Sequence, residues 1–380
     1  MTNQLLSEED QSEPPRSVVG WWRAAKELDK NSRLTAEDLS SHQLTPRLRV
    51  LREMERLALV APEGLDDLRH KLIAYRSGDF WVPTGGMKKE EMEIPGMITI
   101  VLVGLSGSGK SSLVNLMYSV LGGSGLIPFT QTSSESSNYT TMYMEEHNVL
   151  RSMRSGFCVY DTRGLDCHQM IQGLEEVTTW MVDGVRHYQL CCRPGDDQEQ
   201  QQQQQSITQL SSARFAKRMV NCVMVVANLV EIHKGFENGD LKAIGATRDL
   251  FLCPSIRTTN ENPILILTHG DMLSCEERIN GRLKICEYLG IPETTGAYDI
   301  ACITEQGFLP EESDVPVTAF ALSEAVYQAL LRLDRTHLPK KKLKDWVLMA
   351  VSWVMCSIAA FFAMLAVLFS KLGCRTKLKL

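Results

Sequence analysis

The chain has no excess of basic residues. Its 40 Lys and Arg stand against 46 Asp and Glu, a formal net charge of -6 with a pI near 5.8. That balance excludes a generally cationic surface for nucleic acid, which binds by charge. It also lacks any CxxC pair among its eleven cysteines, and the odd total excludes a simple disulfide framework and the usual zinc-finger spacings. Such usage reads as reduced thiols in a cytosolic compartment. The opening "MTNQLLSEEDQSEPPRS" has neither the positive n-region nor the apolar h-region of a secretory signal, and it reads as a disordered tail over 1-16.

Long apolar runs are absent until the far end of the chain. There, Trp346 to Phe369 ("WVLMAVSWVMCSIAAFFAMLAVLF") carries no charge, long enough to cross ~30 Å of hydrocarbon as a helix. Both flanks are basic, "PKKKLKD" before and "SKLGCRTKLKL" after, so the positive-inside bias does not orient the span. Because the preceding chain reads as soluble, the expectation is a single-pass tail anchor facing the cytosol. The candidate membranes are the outer membrane of a mitochondrion, plastid or peroxisome, or the endoplasmic reticulum. Lysines from Lys340 to Lys344 are expected at the lipid headgroups.

Between these ends, 17-96 reads as a helical region and linker. "TPRLRVLREMERLALVAPEGLDDLRHKLIAYR" repeats apolar residues every three or four positions, and Pro62 with Gly64 predicts a break into two helices. The linker after it is expected to lean on the next domain through Phe80 and Trp81. From 97 to 338, short apolar runs alternate with helical segments. Strands are predicted at 98-103, 141-144, 157-160, 222-227, 263-267 and 317-321. Continuous rather than alternating apolar runs predict an α/β domain with a mostly parallel sheet covered by helices on both faces. The glutamine-rich stretch 193-209 reads as a solvated insertion. Segments 339-345, 346-369 and 370-380 complete the order as juxtamembrane segment, membrane helix and basic tail.

The stretch "ITIVLVGLSGSGKSSLVNLMYSVL" places a glycine- and serine-rich loop between a buried strand and an amphipathic helix. Gly104, Ser106, Gly107, Ser108, Gly109, Lys110, Ser111 and Ser112 fit and extend the phosphate-loop pattern GxxxxGK[ST]. Glycines let the backbone N–H groups and the following helix N-terminus close on an anion. Lys110 would bridge the β- and γ-phosphates, and the Ser111 hydroxyl would take Mg²⁺. Farther on, "GFCVYDTRGLD" gives a DxxG element. Asp161 would hold Mg²⁺ through water and Gly164 would approach the γ-phosphate as a switch hinge. "PILILTHGDM" puts Thr268, His269 and Asp271 at another strand end. A carboxylate there accepts from guanine N1–H and N2–H₂; the plainer alternative is a helix cap.

With these three elements the chain resembles a P-loop GTPase of the translation-factor-related class, across roughly 97 to 333. Thr-His at the guanine element is most similar to the septin, immunity-associated and chloroplast import-receptor branch. The resemblance implies a G-domain-like fold, GTP and GDP with Mg²⁺ as ligands, and pairing of two copies across the nucleotide sites. His269 departs from the family's Lys. "FALSEA", with Ser323, stands where the last guanine-contacting loop is expected. In "FTQTSSESSNYTTMYM" the switch hydroxyl for Mg²⁺ is assigned to Thr140, with Thr132 and Thr130 as rivals. Leu165 occupies the position of a water-positioning Gln, so slow intrinsic hydrolysis is expected, the missing group coming from Asp166, His168, a partner chain or the substrate. The reading is a nucleotide-dependent switch on a membrane surface, with an unknown effector and no nucleic acid. Its alternatives are an ATPase or kinase, a non-hydrolysing nucleotide-bound scaffold, and an adaptor working through the N-terminal helices.

Overall fold

The computed structural model describes residues 45-83, 86-123, 129-130, 141-191, 214-259, 263-302, 315-340 and 343-376. They form two units, one reaching to Trp81 and resuming over Pro95–Arg335, the other Val82–Ile94 with the chain from Thr336 onward.

The first unit is built on β1 (Ile98–Val103), β2 (Tyr143–His147), β3 (Phe157–Asp161), β4 (Gln189–Leu190), β5 (Cys222–Asn228), β6 (Ile264–Thr268) and β7 (Ala297–Asp299). They make one sheet in the order β4-β2-β3-β1-β5-β6-β7. β1, β3, β5, β6 and β7 are parallel, while β2 runs antiparallel to both its neighbours. Every residue of β1, β3 and β6 is buried, which is why these strands read as unbroken apolar runs.

Alternate residues serve opposite faces. Ile98, Ile100 and Leu102 of β1, Met224 of β5 and Ile266 of β6 enter one core. Val101 and Val103, Val225, and Leu265 with Leu267 enter the other. The first core is covered by α1 (Pro46–Ala74), α2 (Lys110–Gly122) and α8 (Val315–Arg335). The second is covered by α3 (Met170–Asp183), α4 (Leu229–Asn238), α5 (Lys242–Phe251), α6 (Pro254–Thr259) and α7 (Cys275–Leu289). The α/β architecture with helices on both faces is therefore as the sequence predicts.

Two sequence expectations fail. The break at Pro62 and Gly64 does not occur, for α1 is one helix of 29 residues with Pro62 inside it. Proline costs a single backbone bond, and the buried row Val50, Met54, Leu57, Ala61, Leu68 and Leu72 keeps one face on the body on both sides of it. Gly64 assists: a Cβ there would lie 3.1 Å from the Phe320 ring of α8. The strand expected at 317-321 lies within α8, a helix of 21 residues. A short apolar run does not distinguish a strand from a buried helix turn, and Val317, Phe320, Ala321, Ala325 and Leu330 are buried at helical spacing. The edge strands β4 and β7 were not foreseen, and the strand expected at 141-144 runs instead over Tyr143–His147.

The linker leans on this body through Phe80, whose ring stacks on Tyr75 at 5.0 Å and meets Tyr327 edge-on at 4.9 Å. Buried Asp334 fixes the turn by accepting from the Tyr75 hydroxyl and from the Gly78 and Phe80 N–H groups, all at 3.0 Å.

At the antiparallel edge, the buried His147 ring packs on Tyr118, with Tyr118 Oη and Nδ1 3.3 Å apart. Burial, aided by the nearby His187 and opposed by Glu146, lowers its pKa from 6.5 to about 4. The unfolded chain thus binds the proton more readily, and stability present above pH 6.5 is lost as pH falls toward 4. At 1.36 kcal/mol per unit this amounts to about 3 kcal/mol. Denaturant midpoints measured from pH 7 to 4 should show this slope, and His147→Phe should flatten it.

In the second unit, Met92 and Pro339 form an antiparallel bridge, with Glu93 N–H donating to Leu338 O at 2.8 Å and Lys340 N–H to Glu91 O at 2.7 Å. Beyond it α9 (Leu343–Thr376) contains a span of 20 residues, Leu348–Val367, long and apolar enough to cross a membrane by length and composition.

Candidate nucleotide site

The strand order switches direction between β1 and β5: the chain leaving β1 goes to the β2–β3 side of the sheet, and the chain leaving β5 goes to β6 on the other side. In open α/β sheets the crevice beyond the carboxyl ends of strands at such a point is where ligands bind. The loop Gly104 to Gly109 leaves β1 at that crevice and enters α2 at Lys110. Its glycines are required by geometry. A Cβ on Gly104 would fall 2.1 Å from the Val226 carbonyl oxygen of β5. Gly107 and Gly109 have φ of 73° and 85°, the left-handed region that L side chains rarely adopt.

Lys110 is buried and turned back into the loop, its Nζ donating to Leu105 O at 3.0 Å, Gly104 O at 3.2 Å and Ser108 Oγ at 3.4 Å. Ser111 Oγ donates to Asp161 Oδ2 at 2.6 Å. Burial pushes the Asp161 carboxyl pKa up, against the Ser111 hydroxyl, the Lys110 ammonium and the Thr162 N–H, which favour the carboxylate. A second hydroxyl, Thr141 Oγ1, stands 3.3 Å from Ser111 Oγ. Serine, aspartate and threonine oxygens form a hard donor set that suits Mg²⁺ and not a soft metal.

Of the rivals for the switch hydroxyl, Thr140 and Thr132 lie outside the described residues. Thr130 is engaged otherwise: its Oγ1 donates to Ser111 O at 2.9 Å, while Asn115 Oδ1 accepts from the Phe129 and Thr130 N–H groups at 2.8 and 2.9 Å. The sequence reading passed over Thr141, whose only signal was its place at the mouth of β2.

The DxxG segment is zipped to the phosphate loop. Leu165 N–H donates to Gly104 O at 2.9 Å and Ser106 N–H to Leu165 O at 2.8 Å. A Cβ on Gly164 would meet Ser106 Cα at 2.5 Å, so glycine here is a packing requirement. The Leu165 side chain is buried in the second core, where it fills the space over Gly173. Arg163 is wholly buried and donates to Cys191 O at 2.8 Å. His168 lies beyond Leu165 in the turn before α3 and is exposed, with its N–H donating to Asp166 Oδ1 at 2.8 Å.

On the other side, Thr268 Oγ1 is within 2.7 Å of Ser108 O and 3.2 Å of Ala227 O, so the end of β6 is fastened to the phosphate loop. His269 takes φ 60°, its Nδ1 is 2.9 Å from Thr268 Oγ1, and burial lowers its pKa, outweighing the nearby Asp271. Asp271 follows in the single turn Gly270–Met272 and is exposed. That turn rests on a buried pair, Arg278 with Asp299 of β7: the Arg278 Nη2–Asp299 Oδ1 contact is 2.9 Å, and a Cβ on Gly270 would lie 2.7 Å from each partner.

Ser323 is not in a loop. It sits fully buried within α8 and donates to Ala319 O at 2.8 Å, an ordinary helix back-bond. The segment that reaches the site instead is the one leaving β7, where Cys302 Sγ lies 4.0 Å from Gly109 O. Ser112 lies in the first turn of α2 beside Ser111, half-buried.

No protein-family model matches the chain, and no curated protein sequence matches it. Among solved structures, a probable GTP-binding protein engB is 13% identical with a TM-score of 0.31, covering 62% of this chain and 98% of its own. The signal recognition particle receptor SRb-GTP/SRX complex from Chaetomium thermophilum is 14% identical with a TM-score of 0.24, covering 50% of this chain and 80% of its own. These are distant likenesses.

Proposed function

We propose that the chain is a guanine-nucleotide switch held at a membrane surface by α9. The observation that carries this reading is the contact of Ser111 with buried Asp161 directly beneath a glycine loop that has drawn Lys110 into itself. Phosphates would be held by the loop N–H groups, the α2 N-terminus and Lys110. Mg²⁺ would be held by Ser111, by Asp161 through water, and by a switch hydroxyl from Thr140 or Thr141, and it would neutralise phosphate charge.

Thr268 and His269 set the edge of the base pocket, and Asp271 would accept from guanine. Gly164 and Ser106 form the seam that a γ-phosphate would open, so triphosphate and diphosphate would favour different arrangements of the segment after Asp161. The septin, immunity-associated and import-receptor branch, and pairing of two copies across the site, belong to this reading. A tail anchor would leave the nucleotide site in the cytosol.

Leu165 favours slow hydrolysis. Its side chain is committed to the core and both its backbone groups are bonded to the loop, so the attacking water would take its partner from Asp166, His168 or a second chain. The same observation supports a second reading, a scaffold that retains nucleotide without turnover. Bound nucleotide at one per chain with no phosphate release over hours would select the scaffold.

Asp271→Asn tests the base assignment. Loss of two charge-assisted hydrogen bonds should weaken GTP by about 3 kcal/mol, ~10²-fold, and xanthine nucleotide should gain in its place. Equal GTP affinity in the variant would remove Asp271 from the pocket.

A further inference from the structure

The turn between Leu165 and α3 carries Asp166, Cys167 and His168 in succession. Side chains of consecutive residues usually diverge, yet here one ligand atom from each, a carboxylate oxygen, the thiol sulfur and a ring nitrogen, lie within 4.8 Å of one another. Asp166 and Cys167 are half-buried and His168 is exposed, so the three converge at a surface that an ion in solution can reach.

The donor types decide the ion. Thiolate, imidazole and carboxylate together suit zinc and its borderline neighbours in tetrahedral geometry, whereas Mg²⁺ and Ca²⁺ take oxygen sets such as that at Ser111 and Asp161. We propose that Asp166, Cys167 and His168 bind a zinc-class divalent cation, with water in the fourth position. Binding forms the sulfur–metal bond, releases the thiol proton to solvent and changes no oxidation state. Sequence spacing hid this site because it contains neither CxxC nor separated histidines.

The ion would tie the start of α3 to the chain leaving Leu165, the residue zipped to the phosphate loop. Zinc would then stiffen the segment that follows Gly164. The inference goes beyond the nucleotide reading and does not rest on it.

The test uses the full chain in detergent micelles, reduced, metal-free and without nucleotide, titrated with Co²⁺ as the probe. One equivalent should produce thiolate-to-cobalt charge-transfer absorption that stoichiometric Zn²⁺ abolishes. Cys167→Ser should remove the band, and His168→Ala and Asp166→Asn should each weaken Co²⁺ at least ~10-fold, with circular dichroism unchanged. From neutral pH up to the thiol pKa, affinity should rise about tenfold per pH unit, because one thiol proton is released. A wild-type chain without the band, or a band that survives Cys167→Ser through another of the cysteines, would overturn the proposal. Nucleotide affinity measured separately keeps its failure distinct from failure of the switch reading.

Discussion

Replacing Lys110 by alanine is expected to weaken nucleoside triphosphate binding ~10³-fold, about 4 kcal/mol. The ammonium is buried within the loop, held by the Gly104 and Leu105 carbonyls. It is therefore positioned before any phosphate arrives and loses little conformational freedom on binding. Two hydrogen bonds from a cation to phosphate oxygens contribute ~1.5–3 kcal/mol each. Their loss leaves the loop N–H groups and the α2 N-terminus, which hold an anion weakly by themselves. Titration of a fluorescent GTP analogue into the full-length protein measures the effect. An affinity within threefold of wild type would mean that phosphates do not lie in this loop.

Gly104→Ala should act on the fold, destabilising it by about 4 kcal/mol or more. The new methyl would be driven to 2.1 Å from the Val226 carbonyl oxygen and 2.7 Å from Ser108 Oγ. Ser108 can rotate away, but the carbonyl belongs to β5, which pairs with β1 immediately before this point through Val103 and Val225. Relief requires parting the two central strands of the sheet, where both cores meet. Chemical denaturation with and without nucleotide checks this. A midpoint near wild type with nucleotide binding alone lost would show that the loop moves independently of the β1–β5 pair.

The contrast with Gly107 shows what the sequence made legible. Gly104 is a fixed glycine of GxxxxGK[ST], whereas Gly107 stands at one of its free positions, where a Cβ would meet nothing within 4 Å and the requirement is a φ of 73°. The pattern announces the chemistry of the loop without distinguishing close approach from backbone conformation. Strands β1, β3, β5 and β6 were readable because both their faces are buried, so composition alone marked them. β7 was not, being three residues long and defined by pairing with β6.

That omission moved the last loop of the site. With 317-321 read as a strand, Ser323 was expected in the loop that follows it, whereas it is buried within α8 and the chain leaving β7 is what brings Cys302 to Gly109. Pro62 misled for a related reason: local propensity argued for a break, and burial of the α1 face on both sides of it outweighed one lost bond. Asp161 and Asp271 were legible as carboxylates at or just past a strand end, since the sheet places a residue at the edge of a buried strand. Thr141 was hidden among the hydroxyls of its segment, because its approach to the Ser111 hydroxyl comes from the fold and not from composition.

The central claim is that this crevice selects guanine nucleotide, and affinities of the full-length protein for GTP, GDP and ATP in the presence of Mg²⁺ test it most directly. The account predicts micromolar or tighter binding of GTP and GDP, with ATP at least ~100-fold weaker because adenine offers Asp271 no matching donors. Equal binding of ATP, or no binding of any of the three, would contradict it.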